Sequence, residues 1–126
     1  MWIDGRQWIS DFLSIHVRLS ARTHHLVGAA ELAKMKPTSR LINTSRGPIV
    51  DGTALLDALR TDRIAGAALD VYDVESLENP HPLRELPNVL ATPHIGYVSK
   101  KLYRTFDGDT VKNIVRGHKA QRCHEA

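Results

Sequence analysis

Short apolar runs alternate with amphipathic stretches along this 126-residue chain. Phe12-Leu13-Ser14-Ile15-His16-Val17 is short, partly alternating and rich in β-formers, which predicts a strand. Ala29 to Lys36 is helical in composition, and Pro37 ends it because proline cannot donate to the helical ladder. Arg40 to Ser45 predicts a second strand, closed by Arg46-Gly47-Pro48. Asp51 then stands where an N-cap belongs, and Ala54, Leu55, Ala58 and Leu59 form a helical stripe behind it. Ile64 to Val71 is apolar on both faces, as strands of a parallel sheet are. Val74 to Pro87, with Pro80, Pro82 and several charges, reads as loop. Val89 to Thr92 predicts a short fourth strand ended by Pro93. A long helix is expected from Ser99 to about His118, with Leu102, Phe106, Val111, Ile114 and Val115 facing inward, and the polar tail after Gly117 is expected to fray.

Strands alternating with helices imply right-handed βαβ units and a parallel sheet. The expected fold class is therefore α/β: a partial Rossmann-like, three-layer arrangement of about four mostly parallel strands flanked by helices. In such sheets ligands bind beyond the carboxyl ends of the strands. Three of the predicted strands end in polar or ionisable residues, Asn43-Thr44-Ser45-Arg46, Asp70 and Pro93-His94. These are expected to converge on one rim.

An arginine, a carboxylate and a histidine on such a rim suit the oxidation of a 2-hydroxy acid. A guanidinium fork grips the substrate carboxylate. The hydroxyl proton must leave as hydride departs from the same carbon, and histidine is the usual base for a proton moved near neutrality. A carboxylate on the far ring nitrogen fixes the tautomer, and the hydride needs a nicotinamide acceptor, since no side chain can take it.

Three ordered motifs carry a resemblance to a known family. Asn43-Thr44-Ser45-Arg46-Gly47, Asp70-Val71-Tyr72-Asp73-Val74-Glu75 and Thr92-Pro93-His94-Ile95-Gly96 resemble, in order and spacing, motifs of the D-isomer specific 2-hydroxyacid dehydrogenases, of the phosphoglycerate dehydrogenase type. Ile64-Ala65-Gly66-Ala67-Ala68-Leu69 and Leu86-Pro87-Asn88-Val89 are typical of the same family. The resemblance implies that Arg46 grips the substrate carboxylate, His94 is the acid/base and Glu75 is its paired carboxylate. It also implies that Thr44, Ser45, Arg46, Asp70, His94 and Gly96 border the cofactor, NAD, with NADP left open. The implied substrate is a small 2-hydroxy or 2-oxo acid, and the implied activity is that of an NAD-dependent oxidoreductase acting on CH-OH groups.

The resemblance runs from about Asp11 to Ile114. It divides the chain into an unmatched segment 1–10, a partial NAD-binding domain 11–118 and a polar tail 119–126. The family's Gly-x-Gly-x-x-Gly turn, the acidic residue after its second strand and its substrate-binding domain match nothing here. Ser76 stands where the family usually has proline after the glutamate, and Arg18 where proline is common after His16. The expectation is a dehydrogenase domain fragment, incomplete as a catalyst alone. The alternative is a non-catalytic remnant or an interaction module that self-associates through strand 12–17, whose apolar Phe12, Leu13, Ile15 and Val17 would form an uncovered edge.

Composition narrows the remaining choices. Apolar residues make up 42% and charged residues 25%, as in globular domains, and no apolar run approaches the ~18 residues of a membrane span. The net charge of +3 is scattered, without a basic cluster or interleaved aromatics, so neither nucleic acid nor a membrane is expected as a partner. The first residues lack the charged and apolar regions of a secretory signal, and the lone Cys123 suits a reducing cytoplasm. His24-His25 and His81 have no cysteine partners or ligand spacing, so no metal is expected. Glu78 is a rival carboxylate three residues beyond Glu75, which keeps the family's position.

Overall fold

A computed structural model of the chain describes residues 9–75, 77 and 79–122. Ser76, the rival carboxylate Glu78, Cys123 and the first eight residues lie outside the described set. The chain forms two compact units, one up to Gly96 and one from Tyr97 onward.

The first unit is built on four strands: β1 (Phe12–Ile15), β2 (Arg40–Asn43), β3 (Gly66–Leu69) and β4 (Val89–Ala91). They pair in sequence order, and every pairing is parallel. The register sets Leu13, Leu41, Ala67 and Val89 in one row, with Ile15, Asn43 and Leu69 two residues on. Side chains two apart share a face, so both rows point the same way. Ile15, Leu41, Ala67 and Leu69 are buried there, with Leu13 and Val89 packed against them.

That face is covered by α1 (Ala29–Leu32) and α2 (Gly52–Arg60), which pack on each other. Asp51 caps α2 as expected, its Oδ1 accepting from the Thr53 and Ala54 N–H groups at 3.0 Å each. Leu55, Ala58 and Leu59 deliver the apolar stripe to the core. A short helix, α3 (Pro82–Glu85), stands where the prolines predict only loop. Pro82 occupies the first turn, where its missing N–H costs nothing, His81 Nδ1 accepts the Leu83 N–H at 3.2 Å, and Leu83 is buried.

In the second unit the expected long helix forms, α4 (Lys100–Arg122). Phe106, Val111, Ile114 and Val115, expected to face inward, are exposed. Among the described residues its unit holds no other element for the helix to pack on, and charged residues interrupt its apolar ones. No described helix is long and apolar enough to cross a membrane.

β1 departs from expectation in one respect. Ile15 is a core residue, and Leu13 and Val17 lean on the core; of the four apolar side chains expected to be bare, Phe12 alone is largely exposed, at 61%. Period-two alternation, together with the helices on one side, separates them. Replacing Ile15 with Lys therefore buries an unpaired charge and should lower stability in urea denaturation by at least ~3 kcal/mol, whereas Phe12→Lys should stay within about 0.5 kcal/mol of wild type.

Candidate active site

Because all four strands run parallel, their carboxyl ends, Ile15, Asn43, Leu69 and Ala91, lie at one edge of the sheet. The residues that follow them form the rim. After β2, the buried Asn43 side chain shapes the turn: its Oδ1 accepts the Ser45 N–H at 3.0 Å and its Nδ2 donates to the Arg46 carbonyl at 2.9 Å. Ser45 Oγ donates to the Ile15 carbonyl at 2.7 Å, tying the end of β2 to that of β1. The Arg46 guanidinium is exposed and donates to the Ser45 carbonyl at 2.6 Å. Gly47 comes next because nothing larger fits: a β-carbon there would overlap the Tyr72 carbonyl and sit 2.6 Å from the Asp73 nitrogen. The arginine loop thus runs directly against the segment that leads to Glu75.

After β3, Asp70 is buried with both carboxylate oxygens engaged. Oδ1 accepts the Thr92 hydroxyl at 2.6 Å and the Ile95 N–H at 2.8 Å, and Oδ2 accepts the Gly96 N–H at 2.7 Å. Burial alone would raise its pKa; the hydrogen bonds from Thr92, Ile95 and Gly96, helped by the charge of His94, outweigh that and leave it lowered. A β-carbon on Gly96 would lie 2.8 Å from Oδ2, so glycine is what lets the backbone come this close. Two residues further on, the Tyr72 hydroxyl spans Leu69 and Thr92, 3.0 and 2.9 Å from their carbonyl oxygens. Burial and the adjacent Asp70 charge push the Tyr72 pKa up, which keeps it a neutral donor.

These contacts hold the turn after β4, where His94 adopts φ 55°, a left-handed conformation uncommon for a residue with a side chain. His94 Nδ1 meets Glu75 Oε2 at 2.6 Å, with both side chains about one third exposed. Glu75 and His94 line a cavity of about 270 Å³ with Tyr72, Arg84, Thr92 and Pro93. Arg46 lines a different one, of about 410 Å³, with Thr44 and Ser45. The structure therefore brings Glu75, His94, Asp70 and Gly96 together. It sets Thr44, Ser45 and Arg46 on the same edge of the sheet, without a described contact to His94. A third, mostly apolar cavity of about 430 Å³ lies between α2 and the segment around Leu77 and Leu83, and shares Tyr72 and Leu77 with the Glu75–His94 cavity. Among the described residues no group of His, Cys, Asp and Glu is arranged to hold a metal.

Thr92 and Tyr72 emerge as supports that the motifs contain without disclosing. Their sequence signal, a hydroxyl before Pro93 and an aromatic two residues after Asp70, acquires meaning only once β3 and β4 are adjacent.

Residues 8–96 match the family model described as "D-isomer specific 2-hydroxyacid dehydrogenase, NAD binding domain". Over 106 residues, 84% of this chain, the sequence is 45% identical to a glyoxylate/hydroxypyruvate reductase B of Enterobacter agglomerans, of which it spans 33%. Among solved structures it is similar to an NAD-complexed D-isomer specific 2-hydroxyacid dehydrogenase from Lactobacillus delbrueckii ssp. bulgaricus, with TM-score 0.70 and 32% identity over 79% of this chain and 34% of that one. It is also similar to a D-isomer specific 2-hydroxyacid dehydrogenase from Xanthobacter autotrophicus in complex with NADPH and MES, with TM-score 0.66 and 42% identity over 68% of this chain and 28% of that one.

The Asp70 contacts make a definite prediction about acid stability. A carboxylate whose pKa is lowered by folding contributes stability above its unfolded pKa of ~3.9, and loses it as pH falls through the lower folded value. Asp70→Asn sets an amide against three donors, and should cost about 1–3 kcal/mol in urea denaturation at pH 7. The difference between variant and wild type should shrink as pH falls below ~3.9. Equal stability at pH 7 would show that the three contacts carry no net weight.

Proposed function

Because the chain belongs to the D-isomer specific 2-hydroxyacid dehydrogenase family, we propose that it supplies the acid/base and carboxylate-gripping side of a site that interconverts a small D-2-hydroxy acid and its 2-oxo acid with NAD. The observation that carries the reading is the 2.6 Å contact between Glu75 Oε2 and His94 Nδ1 on the rim that also bears Arg46. Arg46 binds the substrate carboxylate. Glu75 holds the His94 ring by Nδ1, and the substrate hydroxyl exchanges its proton at Nε2. Asp70 orients the turn that carries His94, and Thr44, Ser45, Asp70 and Gly96 border the cofactor. A nicotinamide ring, when bound, supplies the hydride acceptor. The rim suits such a ligand because it lies beyond the carboxyl ends of a parallel sheet. Glyoxylate and hydroxypyruvate are the first substrates to try, from the name of the Enterobacter relative. The lone Cys123 supports a cytoplasmic setting.

The chain spans 33% of that relative, so the test places its residues in a whole enzyme. Residues 9–96 replace the matching segment of the Enterobacter reductase, and glyoxylate reduction is followed with NADH and with NADPH. The chimaera should be active with one or both cofactors, and lose about 10²–10⁴-fold in kcat on His94→Ala. A folded but inactive chimaera would favour the non-catalytic remnant. The isolated 126-residue chain should bind NADH weakly and turn over glyoxylate negligibly.

A second reading, self-association through β1, is favoured by one observation. Among the described residues no strand pairs with the outer edge of β1, and Phe12 lies exposed beside it. Light scattering across a concentration series should show dimers or larger species that Phe12→Lys shifts toward monomer. A wild-type chain that stays monomeric throughout rejects this reading.

A further inference from the structure

The mostly apolar cavity of about 430 Å³ has no part in the roles assigned above. Its floor belongs to the core: Leu55, Leu69, Val71 and Leu83 are all buried. Its mouth opens to solvent at Thr53, Asp73 and Val74, which are exposed. The walls are fastened, so the space cannot simply collapse. On one side Asp51 caps the start of α2. On the other, Arg84 Nη2 donates to the Leu77 carbonyl at 2.9 Å, and the Tyr72 hydroxyl is held between the carbonyls of Leu69 and Thr92. Water filling such a space meets few polar partners, and an apolar group that displaces it is favoured.

Charge decides what that apolar group carries. Among the described residues that line the cavity, Asp73 alone bears a formal charge, and no lysine or arginine borders it. His81 lines it as a neutral ring, since its Nδ1 accepts the Leu83 N–H at 3.2 Å. The Asp73 carboxylate makes no hydrogen bond or ion pair among the described residues. It reaches across to α2: a β-carbon on Gly52, another lining residue, would sit 3.0 Å from its Oδ2. We propose that this cavity is a binding site for a small organic cation with an apolar body, an aryl- or alkylammonium. The apolar part fills the pocket, and the ammonium group meets Asp73 at the mouth. Tyr72 and Leu77 also line the Glu75–His94 cavity, so the occupant bears on the wall that the two cavities share. Glu75 stands in that wall, and binding is therefore felt at the His94 ring it contacts. Neither part of the proposal rests on the catalytic reading above.

The test titrates the isotope-labelled 126-residue chain with benzylammonium, benzyl alcohol and benzoate, probes of similar size and different charge, and follows it by NMR. Benzylammonium should shift the methyl resonances of Leu55, Leu56 and Leu83. It should bind about 5-fold more tightly than benzyl alcohol, the effect of one opposite charge at a solvated mouth, with benzoate weakest. Asp73→Asn should reduce benzylammonium to the affinity of benzyl alcohol and leave benzyl alcohol unchanged, and Asp73→Glu should restore part of the difference. Asp107→Asn removes the same charge from α4 and should change nothing. Thr53→Trp, which fills the mouth from an exposed position, should weaken all three probes. Leucine methyls that no probe shifts would overturn the site. Benzyl alcohol binding as tightly as benzylammonium would overturn the cationic class, and equal weakening by Asp73→Asn and Asp107→Asn would overturn the Asp73 contact in favour of diffuse attraction. The His94 ring resonances report on the shared wall. They should move in step with the leucine methyls in the wild-type chain and stay still in Thr53→Trp. A His94 ring that never moves overturns the link between the cavities and leaves the site standing. Movement that persists in Thr53→Trp overturns the link as well, since the probe then reaches Glu75 and His94 directly.

Discussion

The buried carboxylate of Asp70 is the interaction on which the rim depends. Burying a charge is unfavourable unless hydrogen bonds replace the lost water. Here the replacements come from one place, the Thr92 hydroxyl and the Ile95 and Gly96 N–H groups. The electrostatic requirement of Asp70 therefore dictates the path of the chain after β4. With Thr92 held on one side and Ile95 and Gly96 on the other, Pro93 and His94 must bridge a short gap, and His94 takes up its left-handed conformation. Strain in a backbone persists where its surroundings over-determine it, and these three contacts do so.

A second constraint joins the two halves of the rim. The contact of Gly47 with the Tyr72 carbonyl and Asp73 lays the arginine loop across the segment that carries Glu75. Tyr72 then reaches the carbonyls of Leu69 and Thr92, so the same segment is fastened to the ends of β3 and β4. Arg46 and His94 line different cavities, yet the backbone supporting each is in contact with residues 72–73. A shift of one loop would tend to displace the other, which suits the roles proposed for Arg46 and His94, a carboxylate grip and a proton carrier at fixed separation.

Much of this was legible in the residues. The strand-helix alternation and the Asp51 cap led to the four parallel strands and to α2, because period and capping are local signals. The polar strand ends led to the rim, because a parallel sheet sends every carboxyl end the same way. Less was legible where the cause is tertiary. Helix α3 was hidden in a proline-bearing stretch, since its start depends on His81 capping Leu83 and on a core that accepts Leu83. The exposure of the α4 apolar residues could not be read from their spacing, because a helical stripe says which residues share a face and not what lies against it. The edge strand was misjudged for the same reason: Phe12 and Ile15 are equally apolar, and only the side on which the helices lie separates them. Asp70 was expected at the cofactor, and its role as a support for the 92–96 turn needed β3 and β4 side by side.

Stability and the proposed chemistry thus fall to different carboxylates. Glu75 and His94 are each about one third exposed, and an ion pair so placed adds little to folding because water screens it and two side chains must be immobilised. Its short contact matters for the direction of the imidazole rather than for the fold. Asp70 has the opposite character, shielded from solvent and bonded three times to a turn it does not share in sequence. The division is physically sensible. A group that moves protons must be reached by solvent or substrate and must tolerate a change of charge. The group that holds it in place must do neither, and the hydrogen bonds that lower the Asp70 pKa against the effect of burial keep it ionised.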